Sequence, residues 1–178
     1  MKYLVLFRGI NVGGNNIIKM ETLKSVFEHM GFSGARTYIQ SGNVIITSDK
    51  KDRESLIREI KAGLRKELGM DLEIIIFTGD EVREIVEKAP RGFGNDDSLR
   101  YDVLYFKHPH KPSDSIGKIK LREHVDALYE GKYVIYASRV KRDAGKSYIT
   151  KIIELPIYKS ITIRNWNTTV KLNSLMEN

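Results

Sequence analysis

The chain has 178 residues, of which 41% are hydrophobic, and this is enough apolar content for one ordinary domain or two small ones. It contains no cysteine, which excludes disulfides, thiolate nucleophiles and cysteine-ligated metal centres and agrees with a reducing compartment. Residues 1–98 carry equal numbers of basic and acidic side chains, so the formal net charge of +7 belongs to residues 99–178. A basic half can attract anionic ligands or nucleic acid, although solvated surface lysines and arginines give the same composition.

Membrane and metal signals are absent from the pattern. The apolar run after Met1 is too short for a signal peptide, and no stretch approaches the ~20 apolar residues of a membrane helix. His108 and His110 flank a proline and could pinch a metal ion, but no HExxH spacing or carboxylate pair completes a site. We therefore expect a cytoplasmic protein with no membrane partner, no metal and no cofactor.

The first half of the chain predicts a regular alternation of strands and helices. Hydrophobic periodicity and turn residues indicate, in chain order, a strand at 2–8, a helix at about 20–30, strands at 36–40 and 43–47, a helix at 52–68 and a strand at 72–78. The order β-α-β-β-α-β is that of the split βαβ, or ferredoxin-like, fold, with an antiparallel sheet and both helices on one face.

The second half predicts a weaker repeat of the same order. A short helix at 79–88 and a turn-rich break at 90–97 precede a strand at 101–107, a helix at 113–121, a hairpin of 125–129 with 133–137, a helix at 147–158, a strand at 161–163 and a closing helix at 165–176. We predict an α+β protein of two related ferredoxin-like halves, 1–90 and a basic 99–178, with the C-terminal helix packing at their junction.

The first polar motif follows the first strand. In Arg8-Gly-Ile-Asn-Val-Gly-Gly14, the glycines Gly13 and Gly14 permit backbone conformations whose N–H groups can cradle an anion. Arg8 and Asn11 would add a guanidinium fork and an amide. The alternative is a crossover loop whose Asn and Gly residues merely suit turns.

The second motif, Tyr38-Ile-Gln-Ser-Gly-Asn43, falls on the predicted hairpin. Strand alternation would place Tyr38 and Gln40 on one face, where an aromatic ring and an amide could meet a ligand. Asn43 and its two predecessors are also what a tight hairpin turn uses for purely structural reasons.

The third motif is Arg164-Asn-Trp-Asn-Thr-Thr169, at the start of the closing helix. One reading is that Asn165, Asn167 or Thr168 caps this helix. The other is an anion pocket, in which the helix N-terminus, Arg164 and the amides act together. Trp166 would be a core anchor or a stacking wall, and we favour the core.

A weaker candidate lies in Asp143-Ala-Gly-Lys-Ser147. It resembles the end of a phosphate loop but lacks the leading glycine, so only the backbone at a helix start and the charge of Lys146 could hold a phosphate.

The three main motifs resemble those of an uncharacterised bacterial family, domain of unknown function 1697. Its members share an Arg-Gly-Ile-Asn-Val-Gly-Gly start, a Tyr-Ile-Gln-Ser-Gly-Asn-Val middle and an Arg-Asn-Trp-Asn-Thr end, and the similarity spans nearly the whole chain. The resemblance implies a shared purpose for the motifs, but it assigns none of them a reaction.

From these patterns we expect Arg8, Asn11, Asn43 and the third motif to converge, and the chain to bind a phosphorylated or otherwise anionic ligand between its halves. The ligand could be a nucleotide, a metabolite or a nucleic-acid backbone. Two alternatives stay open, an enzyme acting on such a ligand and an interaction module with purely structural motifs. The sequence offers no clear nucleophile–base pair and gives no indication of oligomeric state.

Overall fold

The structure, a computed structural model, describes residues 1–11 and 16–177. These residues divide into two compact units, one of Met1–Val82 with Ser174–Asn178 and one of Arg83–Asn173. The boundary predicted from sequence lies later, at 90–99, and the predicted second half includes the end of the chain. We call them the first and second units and describe each separately.

The first unit contains a four-stranded antiparallel sheet with strand order β2-β3-β1-β4. Its elements are β1 (Lys2–Arg8), α1 (Met20–His29), β2 (Arg36–Thr37), β3 (Asn43–Thr47), α2 (Arg53–Leu68) and β4 (Glu73–Thr78). The continuous β-prone run of β1 explains its central place, because a central strand is buried along its length.

Helix α2 has the end signals and the apolar periodicity from which it was predicted. Asp52 caps its start by accepting hydrogen bonds from the N–H groups of Glu54 and Ser55, and Gly69 ends it in the left-handed conformation. Its apolar stripe packs with that of α1 over alternate residues of β1, in one core made up of Tyr3, Val5, Phe7, Leu23, Phe27, Leu56, Ile60 and Leu64 among others.

The second unit has a four-stranded antiparallel sheet with the corresponding order, β6-β7-β5-β8. The strands are β5 (Leu99–Phe106), β6 (Asp126–Glu130), β7 (Val134–Val140) and β8 (Ile161–Asn165), and the helices that span the unit boundaries are α3 (Gly79–Glu87) and α4 (Trp166–Glu177). The predicted class, α+β with two antiparallel sheets, is therefore confirmed. The finer ferredoxin-like assignment stays a prediction.

Two predicted helices of the second half are wrong. Short 3₁₀ segments replace the helix expected at 113–121 and the one expected at 147–158: Pro112–Asp114, Ile116–Lys118, Ile149–Glu154 and Pro156–Ser160. Gly117 weakens the first stretch as a helix. In the second stretch, β-branched residues precede Pro156, which cannot continue a helix; they are Ile149, Thr150, Ile152 and Ile153. A further 3₁₀ segment, Lys141–Lys146, follows β7.

The predicted strand at 36–40 is also too long. β2 ends at Thr37, and residues 38–42 form a loop in which Ile39 has φ 48° and Gly42 has φ 71°. Glycine is required at position 42 for two reasons. The positive φ favours glycine, and a Cβ there would lie 2.4 Å from Cδ1 of Ile10 and 2.7 Å from Cβ of Phe7. The loop is thus fixed against the core below it.

Within the described residues, no helix combines the length and the apolar composition that crossing a bilayer requires.

Candidate functional site

Asn11 joins the first two motifs. Its Nδ2 donates to the carbonyl oxygens of Ile18 (3.0 Å) and Gln40 (2.8 Å), and its Oδ1 accepts from the N–H of Ile18 (2.7 Å). The residue has φ 55°, a left-handed conformation that asparagine tolerates. Asn11 therefore ties the two ends of its own loop together and holds the hairpin loop beside it. Gly13 and Gly14 lie outside the described residues.

Asn43 closes the hairpin loop from inside. It is fully buried, and its Nδ2 donates to the Tyr38 carbonyl (2.8 Å) and to the Ser41 hydroxyl (3.0 Å). The bond to the Tyr38 carbonyl turns the chain away from the strand direction after Thr37. The predicted strand alternation of Tyr38 and Gln40 is therefore wrong. Tyr38 is half-buried and Gln40 exposed. The contacts of Asn11 and Asn43 are those of structural residues.

Arg8 ends β1 and is half-buried. In the antiparallel register it lies opposite Glu73 of β4, whose carboxylate also contacts Lys61. The hydrogen bond that Lys61 donates to the Glu73 carboxylate is the main cause that raises the pKa of Lys61. Arg8 thus stands at the end of a central strand, opposite an acidic residue that also pairs with Lys61.

In the third motif, Asn165 caps α4. Its Oδ1 accepts from the N–H of Asn167 (3.0 Å), and its Nδ2 donates to the Tyr101 carbonyl (2.9 Å) of the neighbouring strand. The hydroxyl of Thr169, one turn on, accepts from Tyr105 (3.0 Å). Asn165 therefore both starts the helix and fixes it to the sheet.

Arg164 is buried at the end of β8. Its Nη1 donates to the Thr162 hydroxyl (2.8 Å) and to the Ile163 carbonyl (2.9 Å), and burial lowers its pKa to about 10. The guanidinium is still protonated at neutral pH, and only 6% of the residue is exposed. Asn167 is exposed and Thr168 is half-buried.

Lys146 forms an ion pair. Its Nζ lies 2.8 Å from Oδ1 of Asp143, and Oδ2 of the same carboxylate accepts from Nε of Arg142. These contacts lower the pKa of the Asp143 carboxyl. The helix that was to begin at Ser147 is a short 3₁₀ segment at Ile149–Glu154, so the geometry of a phosphate loop is not formed.

The exposed amides of the third motif border a polar cavity of about 110 Å³, which we call the α4 pocket. Asn165, Trp166 and Asn167 line it together with Gly94, Asp96, Asp97, Leu99, Arg100, Tyr101 and Lys141. Neither Lys141 nor Arg100 was predicted as a site residue, because Lys141 is one of several basic residues at 139–142 and Arg100 lies in no motif.

Charges of both signs are fixed in the α4 pocket. Nζ of Lys141 donates to the carbonyl of Asp97 (2.7 Å), and Nε of Arg100 donates to Asp102 (3.1 Å). The hydroxyl and N–H of Ser98, with the charge of Lys141, lower the pKa of Asp96, which is therefore ionised at neutral pH.

Two residues that line the α4 pocket, Tyr101 and Trp166, belong to an aromatic cluster. The ring of Phe93 lies 4.7 Å from Tyr101, 5.2 Å from Trp166 and 5.5 Å from Tyr136, all edge-on. A Cβ on Gly94 would lie 2.4 Å from the indole of Trp166. Trp166 is therefore held in place by its neighbours and presents a rigid edge to the pocket.

A larger cavity of about 340 Å³ lies elsewhere in the second unit; we call it the His110 cavity. Its 3₁₀ walls place Nε2 of His110 3.1 Å from the hydroxyl of Ser160. The sequence analysis found no such pair, because fifty residues separate its members. In residues 1–11 and 16–177, no three His, Asp or Glu side chains gather as a metal site would need.

The site residues named from sequence thus fall into two groups. Asn11 and Gln40 are in contact in the first unit, and Asn165 and Asn167 share the α4 pocket in the second. The convergence of the first and last motifs stays a prediction.

Together these features define an α+β protein with two antiparallel sheets of the same strand order and a polar pocket at a helix N-terminus. The chain belongs to the family described as "Protein of unknown function (DUF1697)", whose model matches residues 1–136. The fold is similar to that of a conserved bacterial protein from Streptococcus pneumoniae, with a TM-score of 0.85, 24% identity, and coverage of 99% of this chain and 98% of the other. No curated protein matches the sequence.

Proposed function

We propose that this protein binds a small phosphorylated or otherwise anionic ligand in the α4 pocket. One observation carries the proposal: the N-terminus of α4, a helix of 12 residues, lines the same cavity as Lys141 and Arg100. The first N–H groups of a helix have no partners within it and carry partial positive charge, and nearby cations strengthen the attraction for an anion.

The two cations retain capacity for a ligand. Lys141 bonds a neutral carbonyl, so a hydrogen bond uses one of its three donors without cancelling its charge. Arg100 offers further guanidinium N–H groups beyond the one given to Asp102, and its side chain is 55% exposed. Asn165 and Asn167 supply amides that orient rather than charge the ligand.

Asp96 narrows the ligand class. An ionised carboxylate in the lining repels a polyanion but accepts hydrogen bonds from hydroxyl or amino groups. A volume of about 110 Å³ suits one anionic group rather than a nucleic-acid strand. The ligand favoured is therefore a small phosphate ester that also carries hydroxyl or amino groups, such as a sugar phosphate or nucleoside monophosphate.

A ligand panel followed by thermal unfolding tests the proposal. Inorganic phosphate, sugar phosphates and nucleoside monophosphates are added in excess, and at about 100 times Kd a ligand should raise the melting temperature by about 5 to 10 °C. Lys141→Gln should reduce the shift at a given concentration. Lys146→Gln is the matched control, because Lys146 is exposed and lies outside the lining, and it should leave the shift unchanged.

Labelled single-stranded RNA and DNA form a second arm. Sequence composition allows nucleic-acid binding through the basic half, and such binding would weaken steeply as salt is raised. If nucleic acid binds and no small phosphate does, or if Lys146→Gln and Lys141→Gln act alike, the α4 pocket is not the site.

A further inference from the structure

The His110 cavity differs from the α4 pocket in chemistry. Three consecutive apolar residues, Leu155, Pro156 and Ile157, line it, and the rest of the lining is His110, Asp114, Ser115, Lys118 and Ser160. Its volume of about 340 Å³ is at the lower end of small-molecule sites. An occupant would have an apolar body and one polar centre.

The backbone of one residue, Lys107, positions the imidazole and the hydroxyl. The N–H of Lys107 donates to the carbonyl of Ser160 (2.8 Å), and the carbonyl of Lys107 accepts from the N–H of His110 (2.9 Å). Both side chains are thus held from the end of β5, and Nε2 of His110 lies 3.1 Å from the Ser160 hydroxyl. This distance is within the range in which a base can take a proton from a nucleophile.

Ser115 adds an independent observation. It lines the cavity, and the residue as a whole is only 4% exposed. Its hydroxyl can donate a hydrogen bond to a ligand oxygen in the cavity.

We propose that the His110 cavity is an acyl-ester site, with Ser160 as nucleophile and His110 as general base. The Ser160 oxygen attacks the ester carbonyl carbon while Nε2 of His110 takes the hydroxyl proton. The C–O bond of the ester breaks, and His110 returns the proton to the leaving oxygen, which departs as an alcohol. Water then attacks the acyl-Ser160 ester with His110 again as base, and this releases the carboxylic acid and restores the Ser160 hydroxyl.

The surrounding residues define the substrate. The apolar wall at Leu155–Ile157 accepts a short aliphatic acyl chain, and the Ser115 hydroxyl can donate to the carbonyl oxygen as negative charge develops on it. Esters suit a pair of this kind better than amides, because an alcohol is the easier group to expel. The class is therefore short-chain carboxylic esters.

Hydrolysis of p-nitrophenyl butyrate by the full chain tests the reaction. Ser160→Ala should reduce the rate to that of buffer, and His110→Gln should lower kcat by about 10² to 10⁴-fold, the usual contribution of a positioned base. Ser115→Ala should lower it by about 10² to 10³-fold as the loss of an oxyanion donor. Ser113→Ala is the control, because Ser113 is exposed and lies outside the lining.

Covalent labelling gives a readout that does not depend on a variant folding. A fluorophosphonate should modify Ser160 of the unaltered protein, and mass spectrometry of its peptides locates the adduct. Butyrate, the product, should slow this labelling. Hydrolysis by Ser160→Ala at the rate of the unaltered protein, or an adduct on another residue, would overturn the proposal.

Discussion

The two units share a strand order but differ in what covers the sheet. In the first unit, α1 and α2 lay continuous apolar stripes on the sheet and close the core. In the second unit, short 3₁₀ segments take the corresponding places along the chain, with a smaller core around Leu104, Ile135 and Ile152. A 3₁₀ turn cannot present an apolar stripe as long as that of an α-helix.

This difference explains where the cavities lie. The His110 cavity is walled by three 3₁₀ segments, and the α4 pocket lies between a turn-rich stretch and the start of α4. The first unit therefore resembles a packed scaffold, and the second unit resembles a scaffold with its covering layer interrupted. Irregular connections placed on a regular sheet are common locations of binding sites.

Substituting matched core isoleucines should give the largest effect. Ile60 on α2 and Ile152 on a 3₁₀ segment are both almost fully buried, at 0% and 2% exposed. Ile60→Ala should cost about 3 to 5 kcal/mol of unfolding free energy, and Ile152→Ala about 2 to 3 kcal/mol, because the short segment can collapse into the space. Urea denaturation followed by circular dichroism measures both, and equal costs would contradict the comparison.

Adding a methyl group at close-packed glycines should give the next effect. Gly42 is enclosed by Phe7 and Ile10, whereas Gly94 abuts Trp166, whose ring borders a cavity. Gly42→Ala should cost about 2 to 5 kcal/mol, from the left-handed backbone and the overpacking together, and Gly94→Ala should cost less, about 2 to 3 kcal/mol.

The controls for that pair are Gly31→Ala and Gly92→Ala. Both glycines have positive φ, but a Cβ on either meets nothing within 4 Å. Each should cost only about 1 to 2 kcal/mol, the backbone contribution. If these controls cost as much as their partners, close packing is not what sets the difference.

Two asparagines should respond differently. Asn11→Ala removes three hydrogen bonds that close the first loop and should cost about 1 to 3 kcal/mol. Asn167→Ala should change stability by less than about 0.5 kcal/mol, because its side chain is exposed, yet it should reduce stabilisation by the ligand of the α4 pocket. Thermal unfolding with and without ligand separates the two effects. A large loss of stability from Asn167→Ala would mark it as a structural residue.

A modest effect is the dependence of stability on alkaline pH. Burial, and then the charge of Glu84, raises the pKa of Tyr136 to about 12 from an ordinary 10.0. The folded state therefore holds the Tyr136 proton more tightly than the unfolded state does. The contribution of this group to the free energy of unfolding is complete below pH 10 and is lost as the pH rises through about 12. Between pH 8 and about pH 10.5 the loss should be on the order of 1 kcal/mol. Tyr136→Phe should reduce the dependence of the unfolding free energy on pH, as measured by urea denaturation at several pH values. If the two proteins lose the same free energy between pH 8 and about pH 10.5, the assignment to Tyr136 is refuted.

Much of the first unit follows from the sequence, because each signal there is local. Asp52 and Gly69 bracket α2, and the β-prone run at 2–8 becomes the central strand. The hairpin loop was misjudged because its shape depends on the Asn43 side chain reaching back to the Tyr38 carbonyl. Such a bond between a side chain and the backbone leaves no periodic pattern in the sequence from which it could be predicted.

The candidate sites depend on contacts between distant residues and were harder to predict. Asn165 could be proposed as a cap because capping is local, and it is one. The pocket around it also needs Lys141 and Arg100, and the His110–Ser160 pair needs β5 and β8 to be neighbours. Strand pairing of this range cannot be read from spacing in one sequence, and so neither the lining nor the pair was foreseen.

The division of the chain also bears on how the protein is made. The first unit includes the final turn of α4, while residues 83–173 between its two parts belong to the second unit. A ribosome releases residues in order, so the first sheet emerges long before the segment that completes its unit. We expect the nascent first unit to remain incompletely folded until the entire second unit has been synthesised. During that interval, a chaperone that recognises exposed apolar surface could bind the first unit.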